Sequence, residues 1–254
     1  MSTSINNAFI TQYERDVHDI FQRNGSTLKP SVRFKSDVNG SVATFQKIGT
    51  GVATTKARHG TITPMNQTHT AVSTTLADFY AGDWVDKLDE AKINIDERQA
   101  IARGGAMALG RKVDSQILTE LDTTSQTTVT LTVTTSNQAR NGLLDMIEAM
   151  ITNDAYEPGN MYGVMSPHLW AVASTISEFA SSDYVGSDGL PFNTGAAVGM
   201  FKRWGQVLWT VHSGVPNVGT STSKVFIWNK NAIGYASGKV PANLAGTMGG
   251  ETSV

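Results

Sequence analysis

The chain has 254 residues, 40% of them hydrophobic and 17% charged, a balance that fits one or two globular domains and not a disordered chain. A formal net charge of −2 gives no overall electrostatic case for nucleic-acid or anionic-membrane binding. The absence of cysteine excludes disulfides, thiolate zinc sites and a cysteine nucleophile, and fits a reducing compartment. The N-terminus shows no basic start and no apolar run of a secretion signal. No stretch approaches the ~18 apolar residues of a membrane span.

Phe9, Tyr13, Val17 and Phe21 recur every four residues between acids and Arg15, which predicts an amphipathic helix ending at Asn24-Gly25. Its apolar face can cover its own core or dock on a neighbouring subunit, and the segment alone does not choose. Val32 to Phe45 alternates loosely and reads as strand. The Gly/Thr-rich stretch that follows predicts a long two-stranded loop whose return strand lies after Pro64. An isolated ribbon of this kind is marginal in water, so it is expected to lie on another surface.

Leu76 to Lys92 reads either as helix or as strand followed by helix. From Asp96 to Leu121 the spacing predicts one helix, with Ile101, Leu109, Val113, Ile117 and Leu121 as a four-residue ladder. Such a ladder drifts by roughly 40° per step, so the two ends of the helix are expected to face different partners. Gly104-Gly105 costs helix stability and implies a close backbone approach or a bend. The run Gly105 to Lys112 has the glycine spacing of a phosphate loop. It carries Arg and Lys where Lys and Ser/Thr belong, and it lies within a helix, so that reading is rejected.

Asp122 to Ser136 reads as an edge strand or a linker. Helical spacing resumes from Asn137 to Asn153, and Met161 to Met165 reads as a buried strand. Ser166-Pro167 caps a helix expected to run through Phe179. Ser181 to Gly199 reads as loop. Strands are expected at Gly205–Val211, Lys224–Trp228 and Ile233–Ala236, which makes 137–236 a compact α+β domain followed by a polar tail.

No constellation of catalytic or metal-ligating residues stands out. The five histidines are scattered, and no serine sits in a nucleophile elbow. Charge placement is more informative. From Arg33 to Gly60, five basic residues face the single acid Asp37, a net +4; from Asp78 to Glu97 the balance is −5. Complementary patches of this kind steer assembly and fix register. The candidate contact residues between subunits are therefore Lys47, Lys56, Arg58 and His59 on the basic side, and Asp83, Asp86, Asp89 and Glu90 on the acidic side.

The runs FQKIGTGVATTKARHGTITPMNQTHT, LADFYAGDWVDKLDEAKINIDERQAIARGGAMALGRKVD and VFIWNKNAIGYASG resemble tailed-phage major capsid proteins with the Hong Kong 97-like fold. The resemblance covers residues 9–238 and implies an α+β chain in five parts. These are an N-terminal arm (1–30), an extended β-hairpin loop (31–78), a peripheral domain (79–136) with a long spine helix (96–121), a mainly axial domain (137–236) and a C-terminal tail (237–254). It implies a shell protein with no enzymatic role and no cofactor, assembling as pentamers and hexamers into an icosahedral head. The expected partners are portal and scaffolding proteins and decoration proteins. Double-stranded DNA would be enclosed without sequence-specific contact, and no membrane is involved. The place of action is the virion, assembled in the host cytoplasm. The resemblance implies a further segment returning to the peripheral-domain sheet after Gly238; here Asn243 to Val254 reads as irregular tail instead, so either the shell protein is minimal or the sheet is completed differently. Some relatives crosslink a loop lysine, for which Lys47 and Lys56 are placed, but no surrounding signal for that chemistry is present. The alternative reading is the shell of a bacterial encapsulin-like compartment.

Overall fold

The computed structural model describes residues 25–83, 97–124, 129–131, 133, 135–180, 201–220 and 222–238. The predicted helix over Phe9 to Phe21 lies outside them. Gly25 is in the left-handed conformation, with φ 71°.

A 3-10 turn over Lys29–Ser31 leads into strand β1 (Arg33–Val38). Strands β2 (Val42–Ile48) and β3 (His69–Thr75) follow and form an antiparallel pair from Val42↔Thr75 to Ile48↔His69. The long helix α1 spans Glu97–Thr123, close to the predicted bounds. Helix α2 (Ser136–Thr152) opens on a capping box. There Gln138 N–H donates to Thr135 Oγ1, and Thr135 N–H donates back to the Gln138 side chain.

Strand β4 (Met161–Met165) is followed by α3 (Pro167–Ala173), capped by Ser166, and by the short α4 (Ser177–Ala180). The expected single helix through Phe179 is broken at Ser174-Thr175. Both hydroxyls donate back to carbonyls of the preceding turn, at Trp170 and Val172, which competes with helix continuation. Strands β5 (Lys202–Trp204) and β6 (Val207–Val211) make a hairpin that the sequence pattern does not reveal. Gly205 and Gln206, expected at the start of a strand, are its two-residue turn, both at positive φ. Strands β7 (Phe226–Asn229) and β8 (Gly234–Gly238) complete the described chain.

The central sheet has the order β5-β6-β4-β7, with β4 parallel to β6 and antiparallel to β7. Its two faces follow from the alternation of β4. Met161 and Met165 join Val207 and Trp209 under α2 and α3, with Leu143, Ile147 and Leu169. Val164 points the other way, into a second cluster with Val113, Ile117 and Leu118 of α1 and Trp228 of β7. The sheet is thus the middle layer of three. Gly163 lies against the Trp209 ring, and a Cβ there would come within 2.4 Å of it, so the ring itself demands glycine.

Strand β8 pairs outside the central sheet. It runs in parallel with β1, Arg33↔Gly234 to Val38↔Gly238. Among the described residues of 122–136 there is no strand. Val129, Leu131 and Val133 pack half-buried on the first cluster, so their alternation reflects burial without ladder pairing.

Helix α1 changes partners along its length, as its drifting ladder predicts. Leu109, Val113, Ile117 and Leu118 are buried, whereas the first turns lie beside the segment after β3. There a Cβ on Gly105 would sit 3.0 Å from the Ala81 carbonyl, and Lys112 lies over the Phe79 ring at 4.6 Å. The close approach expected at Gly104-Gly105 holds for Gly105 only; Gly104 faces open space. Of the glycines on this helix, Gly110 is the most tightly approached, since a Cβ there would meet the Gly25 backbone at 2.6 Å.

Candidate intersubunit surface

The β2–β3 ribbon is rooted but not covered. At its root Ala43 is buried, and the Phe45 ring lies on Gly234, where any Cβ would meet it at 2.8 Å. Arg33 and Lys35 flank the same ring at 5.6 and 5.9 Å. Beyond Ile48 the two strands continue side by side. Gly49 N–H donates to the Thr68 carbonyl at 2.8 Å, and Gly51 meets Met65. The tip is a turn in which Gly60 N–H donates to the Ala57 carbonyl at 3.0 Å.

Every residue from 50 to 75 is exposed. Val52 and Ile62 are 77% and 75% exposed. The ribbon brings Lys56, Arg58 and His59 together at its tip and leaves Lys47 on its paired shaft. Asp83 is exposed and is not brought to the tip; Asp86, Asp89 and Glu90 lie outside the described residues.

The body carries a second polar feature that sequence reasoning missed. Asp114 on α1 is fully buried. Its Oδ1 accepts from Ser26 Oγ and, at 3.0 Å, from Leu28 N–H. Its Oδ2 accepts from Thr27 N–H and Thr27 Oγ1, each at 3.0 Å, and from His212 at 3.2 Å. Gly214 N–H donates to His212 Nδ1 at 2.8 Å, which leaves the proton on Nε2, facing the carboxylate. One carboxylate thereby ties the segment before β1, the long helix and the end of β6 together. The available signal was an acid on the apolar side of the helix, between Val113 and Ile117.

Lys202 of β5 is nearly buried. Its ammonium sits 3.9 Å above the Phe179 ring centroid and donates to the Phe179 carbonyl. Burial lowers its pKa to about 8. Arg140 of α2 pairs with Glu178 of α4 at 2.8 Å. The Glu178 carboxyl is held below its ordinary value first by a backbone hydrogen bond, then by Ser177 and Arg140. Among the described residues no three histidine, aspartate or glutamate side chains converge as a metal site, and no helix is long and apolar enough to cross a membrane.

A layered body of helices on a mixed sheet, with an uncovered ribbon projecting from it, is the form of a subunit that completes itself on other subunits. The phage capsid protein family matches residues 5–243, and the chain belongs to that family. It is a structural subunit of a phage shell, and this match favours the phage reading over the bacterial compartment.

Solved structures agree in fold. The capsid of the cyanophage P-SCSP1u is 13% identical, with a TM-score of 0.65 over 98% of this chain and 88% of that one. A structure from Mycobacterium phage Che8 is 16% identical, with a TM-score of 0.62 over 90% and 83%. The capsid of a native GTA particle is 10% identical, with a TM-score of 0.62 over 93% and 86%. No curated protein sequence matches significantly.

Proposed function

We propose that this phage shell protein is the major capsid protein of a tailed phage and has the Hong Kong 97-like arrangement. Residues 1–30 are its N-terminal arm, β2–β3 its extended loop and α1 its spine helix. The central sheet with α2 to α4 forms the axial domain around the five- and six-fold openings. β8 belongs with β1 in the peripheral part. The subunits form pentamers and hexamers of an icosahedral head assembled in the host cytoplasm. The head is built with portal and scaffolding proteins, carries decoration proteins and encloses double-stranded DNA without reading its sequence. The family match carries this reading, and the ribbon, exposed from residue 50 to residue 75 and without a seat among the described residues, supports it.

The ribbon lies on a neighbouring subunit. Its shaft, with Lys47, crosses the neighbour's acidic segment of Asp83, Asp86, Asp89 and Glu90, and its tip, with Lys56, Arg58 and His59, projects further. Complementary charge of this kind sets register and encounter rate more than affinity. Electron microscopy of the purified protein tests the shell. Uniform hollow particles are expected, and a monomer that persists in every assembly condition overturns the reading. Nucleic acid inside native particles separates a genome container from a cargo compartment. For the shaft, Asp83→Lys with Asp86→Lys is expected to impair assembly and Lys47→Glu to relieve the defect.

A further inference from the structure

A shallow cleft of 480 Å³ opens where the loop after α2 meets the turn between β7 and β8, lined by Asp154, Tyr156, Glu157, Asn229 and Asn231 among others. Its walls are fixed. Tyr156 Oη donates to the Gly205 carbonyl at 3.0 Å, and Asn229 Nδ2 donates to Glu157 Oε2 at 3.2 Å and to the Ala155 carbonyl at 3.4 Å. Two acids elsewhere have cations of their own, Asp122 with Lys224 and Glu178 with Arg140. Asp154 and Glu157 have none within ion-pairing distance among the described residues, and no lysine or arginine lines the cleft.

The opposite imbalance exists at the ribbon tip. Lys56 and Arg58 are exposed and have no carboxylate partner among the described residues. From Ile48 to the tip the ribbon runs about 30 Å at ~3.3 Å per residue. Over that length it is nowhere buried among the described residues.

We propose that the ribbon tip of one subunit seats in this cleft of a second copy. Arg58 and Lys56 engage the Asp154 and Glu157 carboxylates, and the Tyr156 ring offers a face for a cation. The cleft thus names the tip's receptor, distinct from the segment crossed by the shaft, and the inference rests on the reading that the ribbon lies on a neighbour.

The chain has no cysteine, so engineered pairs report without background. Assembled particles of the double variant Arg58→Cys/Glu157→Cys, mildly oxidised, are expected to give a ladder of covalent multimers on a non-reducing denaturing gel. Arg58→Cys/Asp83→Cys is expected to give none. A ladder from the Asp83 pair alone overturns the cleft as receptor while leaving the neighbour reading intact. A fast-running single band from Arg58→Cys/Glu157→Cys, or intact particles with no ladder from either pair, also overturns it. Charge reversal covers the case in which the cysteine variants fail to assemble. Lys56→Glu/Arg58→Glu and Asp154→Lys/Glu157→Lys should each lose particles, and the four substitutions together should recover them. Failure to recover overturns the pairing, whereas failure of the unaltered protein to assemble removes the underlying reading instead.

Discussion

His212 donates its Nε2–H to Asp114 Oδ2 at 3.2 Å, joining residues 98 apart in sequence inside the core. The carboxylate also accepts two backbone N–H groups and two hydroxyls from residues 26–28. Asp114→Asn replaces one acceptor oxygen with a donor facing donors. A loss of about 2–5 kcal/mol is expected, since each buried donor left unpaired costs ~1–3 kcal/mol. Thermal unfolding of the unassembled subunit measures it, and limited proteolysis should show new cleavage near residues 25–32.

Two glycines of α1 should respond in opposite directions. Gly104 has open space around its Cβ position, so Gly104→Ala should stabilise the unassembled subunit by roughly 0.5–1 kcal/mol. Gly110→Ala drives a methyl into the Gly25 backbone and should destabilise it by about 1–3 kcal/mol. Equal effects in denaturant titrations would contradict the packing described for this helix.

Lys202 gives a pH signature with a defined sign. Burial lowers its pKa from the ordinary lysine value of 10.5 to about 8 in the folded chain. Between those values the unfolded chain binds the extra proton, so stability contributed through this group rises with pH across that window. Below about pH 8 the amine is charged in both states and the full burial cost remains. The melting temperature of wild type relative to Lys202→Met should therefore increase from pH 8 to pH 10.5 and stay flat below about pH 7. A difference that falls over the upper window would refute the assignment.

The ribbon should separate folding from assembly. Replacing residues 50–67 with an Asn-Gly turn shortens the hairpin without touching either core cluster. Subunit stability should change by no more than ~0.5 kcal/mol, in line with surface substitutions that bury nothing. Particle formation, followed by sedimentation, should be lost.

Much of this architecture is legible locally. The four-residue ladder of α1, the Ser166-Pro167 start of α3 and the alternation of β4 are written in neighbouring residues. The basic tip at Lys56, Arg58 and His59 is equally plain, because a loop too polar for a core must go elsewhere. The misreadings are of two kinds. Gly205-Gln206 reads as part of a strand because its apolar neighbours hide a tight turn. The partner of β8 has no local trace at all, since parallel pairing joins strands about 200 residues apart. The cleft is invisible for the same reason: Asp154 and Glu157 meet Asn229 and Asn231 only in three dimensions.

The pairing of β1 with β8 also has a consequence in time. The ribbon's root rests on Gly234, through the Phe45 ring, and on the strand beside it. During synthesis the ribbon emerges early, but the surface that aims it does not exist until residues near 234–238 have left the ribosome. Closing so long a loop is slow compared with forming α1 or α2. A nascent subunit therefore carries a loose, unaimed arm for most of its translation. On the proposed reading, in which the ribbon lies on a neighbour, it is aimed only once the last described strand has docked, and premature association between incomplete chains on one message is thereby discouraged.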